Sequence, residues 1–393
     1  MFGLSRSPLG SRALRTALSG LQAGRLDVRV PTGECYAFDG VEAGPSAHVT
    51  LRNWHAASEL LQLNRGSVRQ YLRDHWDSSD LGALLTVVEL NRNAFGSMVG
   101  RSMPGRVAAA LARQLQRNVH ARYRLHNAFY QAWLDSSMAY SAALFEGDAQ
   151  RSLEQAQVAK YELILRELSP RRGQRLLDMG CGWGGFALHA AARFGCRVDA
   201  VCMSHRQIEW GRARAEEAGL QHLVHFERRD LREVHAGYDF VVSIEAYEAL
   251  GERSWAAYFS AIARCLHEGG QAFLQAAVAD SELDAPVSSQ SDFLRENIHP
   301  NAALASWDTL AAHAQRAKLQ VISLTKSDDD SVRTLQHWRE RFNCASSQLS
   351  TFGLDRRFQR LWQFYLAYCE AGYRAGRTRL VRAWLQRAPG WEN

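Results

Sequence analysis

Gln174-Arg-Leu-Leu-Asp-Met-Gly-Cys-Gly-Trp-Gly-Gly185 reads as a short apolar strand that runs straight into a turn with glycine at 180, 182 and 184. Phe186 to Phe194 then carries apolar residues at helical spacing, so the turn joins a strand to a helix. Glycine adopts the positive φ values such a turn demands and lets the backbone approach a ligand, and amides at the helix N-terminus favour a polar or anionic group. A purely structural glycine turn is the alternative at this point. Outward from the turn, Cys196-Arg-Val-Asp-Ala-Val-Cys202 and Tyr238-Asp-Phe-Val-Val-Ser-Ile244 are further apolar runs. They alternate with helical stretches at Arg206 to Ala218 and Trp255 to Leu266, and Gly270 to Val278 and Leu319 to Leu324 read as later strands. Strands alternating with helices predict an α/β fold with a parallel sheet.

Ahead of the turn, Leu26-Asp-Val-Arg-Val30 and Ala47-His-Val-Thr-Leu-Arg52 have strand alternation, and helical periodicity follows from Trp54 to Arg117. A small α+β domain is therefore expected over residues 1–118. A helical connector over 119–168 ends at the turn Ser169-Pro-Arg-Arg-Gly173, and 169–393 forms the cofactor domain. Within that last part a helical insertion is expected at Ser288 to Glu296, and a long helical finish from Leu354 to Arg387.

A chain of 393 residues, 46% hydrophobic and 22% charged, can bury a substantial core. No run approaches the roughly 20 apolar residues of a membrane span, and the first 26 residues lack a secretory pattern, so a cytoplasmic protein is expected. Seven cysteines without a C-x-x-C pair argue against a disulfide framework and against a zinc site. The net charge of +6 is mild, and the basic residues form no dense patch or standard motif that would point to nucleic acid. Leu14, Leu18 and Leu21 share one helical face with arginines nearby, which would suit a phospholipid headgroup layer and the inner membrane face. Packing of that face on its own domain is the reading the residues favour.

A G-x-G-x-G turn is shared by dehydrogenases and methyltransferases. A nicotinamide site would usually place an acidic residue about 20 positions on, at the end of the next strand. Here that strand ends Ala200-Val-Cys-Met-Ser204, without a carboxylate. Asp178 before the turn and Asp230 in Arg229-Asp-Leu-Arg232 stand where an S-adenosylmethionine enzyme would use carboxylates.

Several motifs in one order now carry a resemblance. They are Trp133-Leu-Asp-Ser-Ser-Met-Ala-Tyr-Ser141, Leu177-Asp-Met-Gly-Cys-Gly-Trp-Gly-Gly185, Ser243-Ile-Glu-Ala-Tyr-Glu-Ala-Leu-Gly251 and Phe364-Tyr-Leu-Ala-Tyr-Cys-Glu-Ala-Gly-Tyr-Arg374. From about Leu60 to Gln386 the chain resembles the cyclopropane-fatty-acyl-phospholipid synthase family. The resemblance implies a Rossmann-like, seven-stranded class I methyltransferase sheet, a smaller N-terminal α+β domain and a helical lipid-facing insertion. A lipid double bond lies below the headgroups, so such an enzyme needs an apolar tunnel or apolar helices sunk into the interface; Phe293, Leu294, Ile298, Leu304, Trp307 and the aromatic stretch Phe358 to Tyr373 could line a tunnel, although an aromatic stripe is more often simply core. The resemblance places S-adenosylmethionine on Gly180, Cys181, Gly182 and Gly184, beside Asp178, with Tyr140 and Ser141, with Met203, Ser204 and Gln207 near the ribose, and with Asp230 near the adenine. The less favoured alternative is that Ser204 and Gln207 merely cap the helix that follows.

The resemblance also implies an unsaturated phospholipid as substrate, a homodimer, and a chemistry in which a cis double bond accepts a methyl group and a base then removes a proton. In the family's main branch a bound bicarbonate, seated by a cysteine, a glutamate, a histidine and a tyrosine, is that base. The matching positions here are Ala142, Glu248, Gln275 and Arg339. Gln275 keeps an amide donor, Arg339 is a permanent cation able to hold an anion, and Glu248 with Glu245 could supply a base. The pattern is similar to a branch whose members need not make cyclopropanes. The family usually reads H-Y-D-L-G-N-D-F-Y where this chain has Arg122-Tyr-Arg-Leu-His-Asn-Ala-Phe-Tyr130. A non-catalytic partner subunit and a methyltransferase with a non-lipid acceptor remain the alternative readings.

Overall fold

The computed structural model describes residues 14–16, 18–56, 65–92, 94, 125–235, 237–280 and 304–389. The insertion expected at Ser288 to Glu296, the boundary at 118, Arg122 to Arg124 and the tunnel residues Phe293, Leu294 and Ile298 lie outside the described residues. The chain divides into two compact units, Met1–Arg124 with Gln290–Pro300 and Phe342–Ala375, and Leu125–Ser289 with Asn301–Arg341 and Gly376–Asn393.

In the first unit, β1 (Ala23–Arg29), β2 (Cys35–Asp39), β3 (Glu42–Leu51), α1 (Arg65–Leu72), β4 (Trp76–Asp77) and α2 (Leu81–Leu90) follow in order. The sheet runs β2-β1-β3-β4, with β1 antiparallel to β2 and parallel to β3. Alternation along β1 buries Leu26 and Val28. Asp80 caps α2 by accepting from the amides of Gly82 and Ala83. Leu14, Leu18 and Leu21 are buried, as a packed helical face requires.

In the second unit, α3 (Asn127–Gln131) and α4 (Leu153–Leu168) precede β5 (Arg175–Met179), α5 (Gly185–Phe194), β6 (Arg197–Cys202), α6 (His205–Glu217) and β7 (Val224–Arg228). Then come β8 (Tyr238–Ile244), α7 (Trp255–Cys265), β9 (Leu266–Ala279), α8 (Trp307–Arg316), β10 (Leu319–Lys326) and α9 (Asp328–Cys344). The chain returns to the first unit as α10 (Ser346–Thr351) and α11 (Arg356–Arg374), then closes the second as β11 (Thr378–Arg387).

Seven strands run β10-β11-β9-β8-β5-β6-β7, parallel except for β11, which lies antiparallel between β9 and β10. This is the expected class I methyltransferase sheet. Successive residues of each strand serve opposite faces. Leu177, Val241 and Leu274 pack with Tyr258 and Ile262 of α7 and Leu310 of α8. Their neighbours Leu176, Val242 and Phe273 pack with Ile164 of α4, Phe186 of α5 and Ile208 of α6. Strand order reverses between β5 and β8, and ligands of open α/β sheets bind outside the carboxyl ends of strands at such a point.

Two stretches differ from the helices expected of them. Only α3 and α4 of the 119–168 connector are helical among the described residues. Between them the buried Asp135 accepts from the amides of Ser137 and Ala139, holding them in a turn where a helix would claim them. The long helical finish stops at Arg374, before Gly376 with φ 70°, and Thr378–Arg387 is a strand. Residues 380–385 of β11 are buried throughout, and a run that is apolar on both faces lacks the period that separates strand from helix. The amphipathic α11, expected with the cofactor domain, packs in the first unit against α1 and α2. There the Arg360 guanidinium donates to the carbonyls of Tyr71 and Trp76, links that no sequence-local pattern records.

Candidate active site

The turn after β5 takes the shape its glycines permit. Gly180, Gly182 and Gly184 have φ of 89°, 54° and 85°. The amides of Gly180 and Cys181 donate to the Val201 carbonyl at 2.9 and 3.1 Å, which ties the turn to β6. A Cβ at Gly180 would meet Ala246 at 2.5 Å and one at Gly184 would meet Phe226 at 2.4 Å, so both glycines are there for packing. At Gly182 nothing lies within 4 Å of a Cβ. Beside this turn the Asp178 carboxyl is buried, and its Oδ2 has no hydrogen-bond partner among the described residues. An open cradle next to an unsatisfied acceptor fits the polar amino-acid end of S-adenosylmethionine.

The segment after α3 wraps the same end of the sheet. Asp135 organises it, accepting also from the Ser137 hydroxyl at 2.5 Å, and Ser137 Oγ lies 3.1 Å from Tyr161 Oη of α4. Tyr140 stands among rings, its centroid 5.5 Å from Trp133 and 5.2 Å from Trp338 of α9. Ser141 is buried, and its hydroxyl accepts from Lys160 Nζ at 2.6 Å while its carbonyl accepts from Gln157 Nε2 at 2.9 Å. Lys160 is wholly buried on the inner face of α4. Burial pushes its ammonium down to about 8, against the opposing pull of Glu245 and Asp135.

A line of paired residues crosses the sheet below. Ile244 of β8, Gln275 of β9 and Arg382 of β11 are register neighbours. Gln275 Oε1 accepts from Arg382 Nε at 2.9 Å, and Gln275 Nε2 donates to Glu245 Oε1 at 2.8 Å and to the Ala142 carbonyl at 2.9 Å. The Ala142 amide donates to the same Glu245 Oε1 at 2.8 Å. Arg382 is completed by Asp330 of α9 at 3.3 Å and by the Ala143 carbonyl at 3.1 Å. Glu248 Oε1 accepts from the Ala277 amide at 2.8 Å, and its Oε2 is buried with no hydrogen-bond partner among the described residues. Burial, then the charge of Glu245, pushes the Glu248 carboxyl up to about 8; burial does the same to Asp178.

Four expected catalytic positions are thus partly gathered. Glu245, Glu248 and Gln275 converge, and Ala142 joins them. Arg339 lies half-buried on α9 next to Trp338, and Gln275 Oε1 accepts from Arg382. Among the expected cofactor residues, Ser204 caps α6 through a 3.4 Å bond from the Gln207 amide, and Gln207 Oε1 accepts from the Cys202 thiol at 3.6 Å. Met203 is exposed and Asp230, just past β7, is half-buried. Lys160, Arg382, Asp330 and Asp135 were missed. Two of them left a signal: Lys160 falls on the face of α4 that carries Ala156 and Ile164, and Arg382 interrupts an apolar run.

The family described as mycolic acid cyclopropane synthetase matches residues 111–383. The chain is similar to the tuberculostearic acid methyltransferase UfaA1 of Mycobacterium tuberculosis, 31% identical over 328 residues that cover 79% of this chain and 76% of that protein. It is similar to the cyclopropane-fatty-acyl-phospholipid synthase of Escherichia coli K12, 30% identical over 253 residues, 64% of this chain and 63% of that protein. The crystal structure of mycolic acid cyclopropane synthase CmaA1 complexed with SAH and CTAB aligns with a TM-score of 0.63 over 70% of this chain and 98% of that one, at 24% identity. That last likeness is one of fold.

Two outcomes follow from the geometry. Gly182→Val fills only open space, so the protein folds with a loss of about 1–2 kcal/mol from the left-handed backbone, while affinity for S-adenosylhomocysteine falls steeply. Calorimetric titration together with thermal melting reads both, and undiminished affinity contradicts the placement. The second concerns pH. Asp178 and Glu248 are raised above 3.8 and 4.5, so the stability they carry is complete below about pH 4 and is lost as pH rises through about 8. The unfolding free energy of the ligand-free protein therefore falls over that window by at most about 1.4 kcal/mol per pH unit and group, and its melting temperature falls with it. Asp178→Asn flattens the slope; an unchanged slope contradicts the assignment.

Proposed function

Because the chain belongs to the mycolic acid cyclopropane synthetase family, we propose that it transfers a one-carbon unit from S-adenosylmethionine to the cis double bond of an unsaturated acyl chain in phospholipid. The observation that carries the cofactor half of this reading is the open space at Gly182 beside the unsatisfied Oδ2 of Asp178. The lipid half rests on two relatives, one named for tuberculostearic acid and one for fatty-acyl phospholipid. In this reading the acyl chain is reached from the bilayer surface; among the described residues no helix is long and apolar enough to cross a membrane.

When bound, S-adenosylmethionine supplies an electrophilic methyl group. The residues that would hold it are the backbone of Gly180 to Gly184, Asp178, Tyr140 and Ser141, with Ser204, Gln207 and Asp230 toward the nucleoside. Lys160 fixes the Ser141 hydroxyl, and Gln157 fixes its carbonyl, so this wall is set before any ligand arrives. Glu248, protonated at neutral pH, lets a carboxyl group sit beside Glu245 without a second negative charge.

Incubation with methyl-labelled S-adenosylmethionine and vesicles of cis-unsaturated phospholipid tests the reading by mass spectrometry of the released fatty acids. A gain of one carbon and two hydrogens is expected. Confirmed cofactor binding with no label in lipid overturns the lipid acceptor.

A further inference from the structure

Glu245 stands at a place where an acidic side chain has to be forced. Its φ is 49°, in the left-handed region, which costs a residue with a side chain roughly 1–2 kcal/mol and costs glycine little. What the strained backbone achieves is a fixed carboxyl group. Oε1 accepts from the Ala142 amide and from Gln275 Nε2, both at 2.8 Å. Gln275 cannot turn its amide over, because Arg382 Nε holds its oxygen and Arg382 is held in turn by Asp330 and the Ala143 carbonyl. Oε2 accepts none of the described hydrogen bonds, and it is not among the carboxyl oxygens closed off without a partner, as Glu248 Oε2 is. One oxygen is anchored, and the other, on a half-buried side chain, takes none of these bonds. The groups that anchor the first belong to Ala142 and Gln275, two of the positions that the resemblance matches to the bicarbonate seat of the family's main branch.

We propose that Glu245 is the proton acceptor of the reaction and that its carboxylate takes the seat of an exogenous anion, so that turnover does not depend on bicarbonate. The inference rests on the methyl-transfer reading above. The double-bond electrons form the new carbon–carbon bond to the methyl group, the sulfur keeps the electron pair of the bond that breaks, and the adjacent acyl carbon is left positive. Glu245 Oε2 then takes a proton from a neighbouring carbon. The electron pair of that C–H bond closes a ring or forms a double bond, and the carboxyl later gives its proton to water. The lipid gains CH2 and one proton is released.

Glu245→Gly empties the seat at a residue whose backbone already suits glycine, and Glu245→Gln keeps the seat filled without a base. In buffer freed of carbon dioxide, wild-type turnover is expected to be unchanged by millimolar bicarbonate, and labelled bicarbonate to show no 13C line broadening with the protein. Glu245→Gly is expected to be slower by on the order of 10²-fold or more, to recover at least in part with bicarbonate or formate, and to broaden the 13C line. Glu245→Gln is expected to be equally slow and not to recover. Affinity for S-adenosylhomocysteine, measured by titration, stays within a few-fold in both. A wild-type rate that rises with bicarbonate, broadening by wild-type protein, or a fully active Glu245→Gln overturns the proposal. If the wild type labels no lipid, the methyl-transfer reading fails on its own, and the 13C comparison still decides whether Glu245 fills the anion seat; Glu245→Ala, which also empties the seat, serves that comparison if the glycine variant does not fold.

Discussion

Arg382 lies on β11, one strand in from the edge of the seven-stranded sheet, with 2% of the residue's surface exposed, and its guanidinium needs acceptors. Three groups supply them: the Gln275 side chain from β9, Asp330 from α9 and the Ala143 carbonyl from the segment after α3. Removing one partner of a buried ion pair leaves an uncompensated charge, at a typical cost of about 3–5 kcal/mol. The requirement therefore binds three distant parts of the chain together. Asp330 also accepts from the Phe145 amide, and Thr334 from the Ala143 amide, so the segment 142–145 is fastened along its length to α9. The orientation of Gln275, and through it Glu245, follows from this one buried cation.

The site chemistry rests on environments that differ over short distances. Asp178 and Glu248 each keep one buried oxygen without a hydrogen-bond partner among the described residues, and burial pushes both up to about 8, whereas Glu245 Oε1 accepts two bonds and lies near enough to Lys160 and Arg382 for their charges to respond to it. In the proposed reaction these carboxyl groups would take different duties. The parallel strands bring this about geometrically. Asp178 follows from β5 and Glu245 from β8, neighbouring strands whose carboxyl ends point the same way, on either side of the place where strand order reverses.

Much of this was legible in the sequence because glycine and alternation leave marks. Gly180, Gly182 and Gly184 announced a turn between strand and helix, and β5, β6, β8 and β9 stood out as apolar runs between helical stretches. Asp178 was identifiable by its position before the turn. The remainder was hidden for physical reasons. A fully buried strand such as β11 loses the period that would name it. The irregular segment from Ala132 to Ser152 is held by Asp135 and by long-range bonds to α9, which no local pattern encodes. Nor does sequence reveal that Arg382, far along the chain, is a cation that meets Gln275, or that Glu245 has left-handed backbone. Buried charges within apolar stripes, at Lys160 and Arg382, were the signals that could have been read and were not.

Equilibrium binding of labelled S-adenosylmethionine to the purified protein tests the account at its centre, the turn that joins β5 to α5. One molecule bound per chain, displaced by S-adenosylhomocysteine and indifferent to NAD, is the predicted result. Absence of binding, or displacement by NAD, would contradict it.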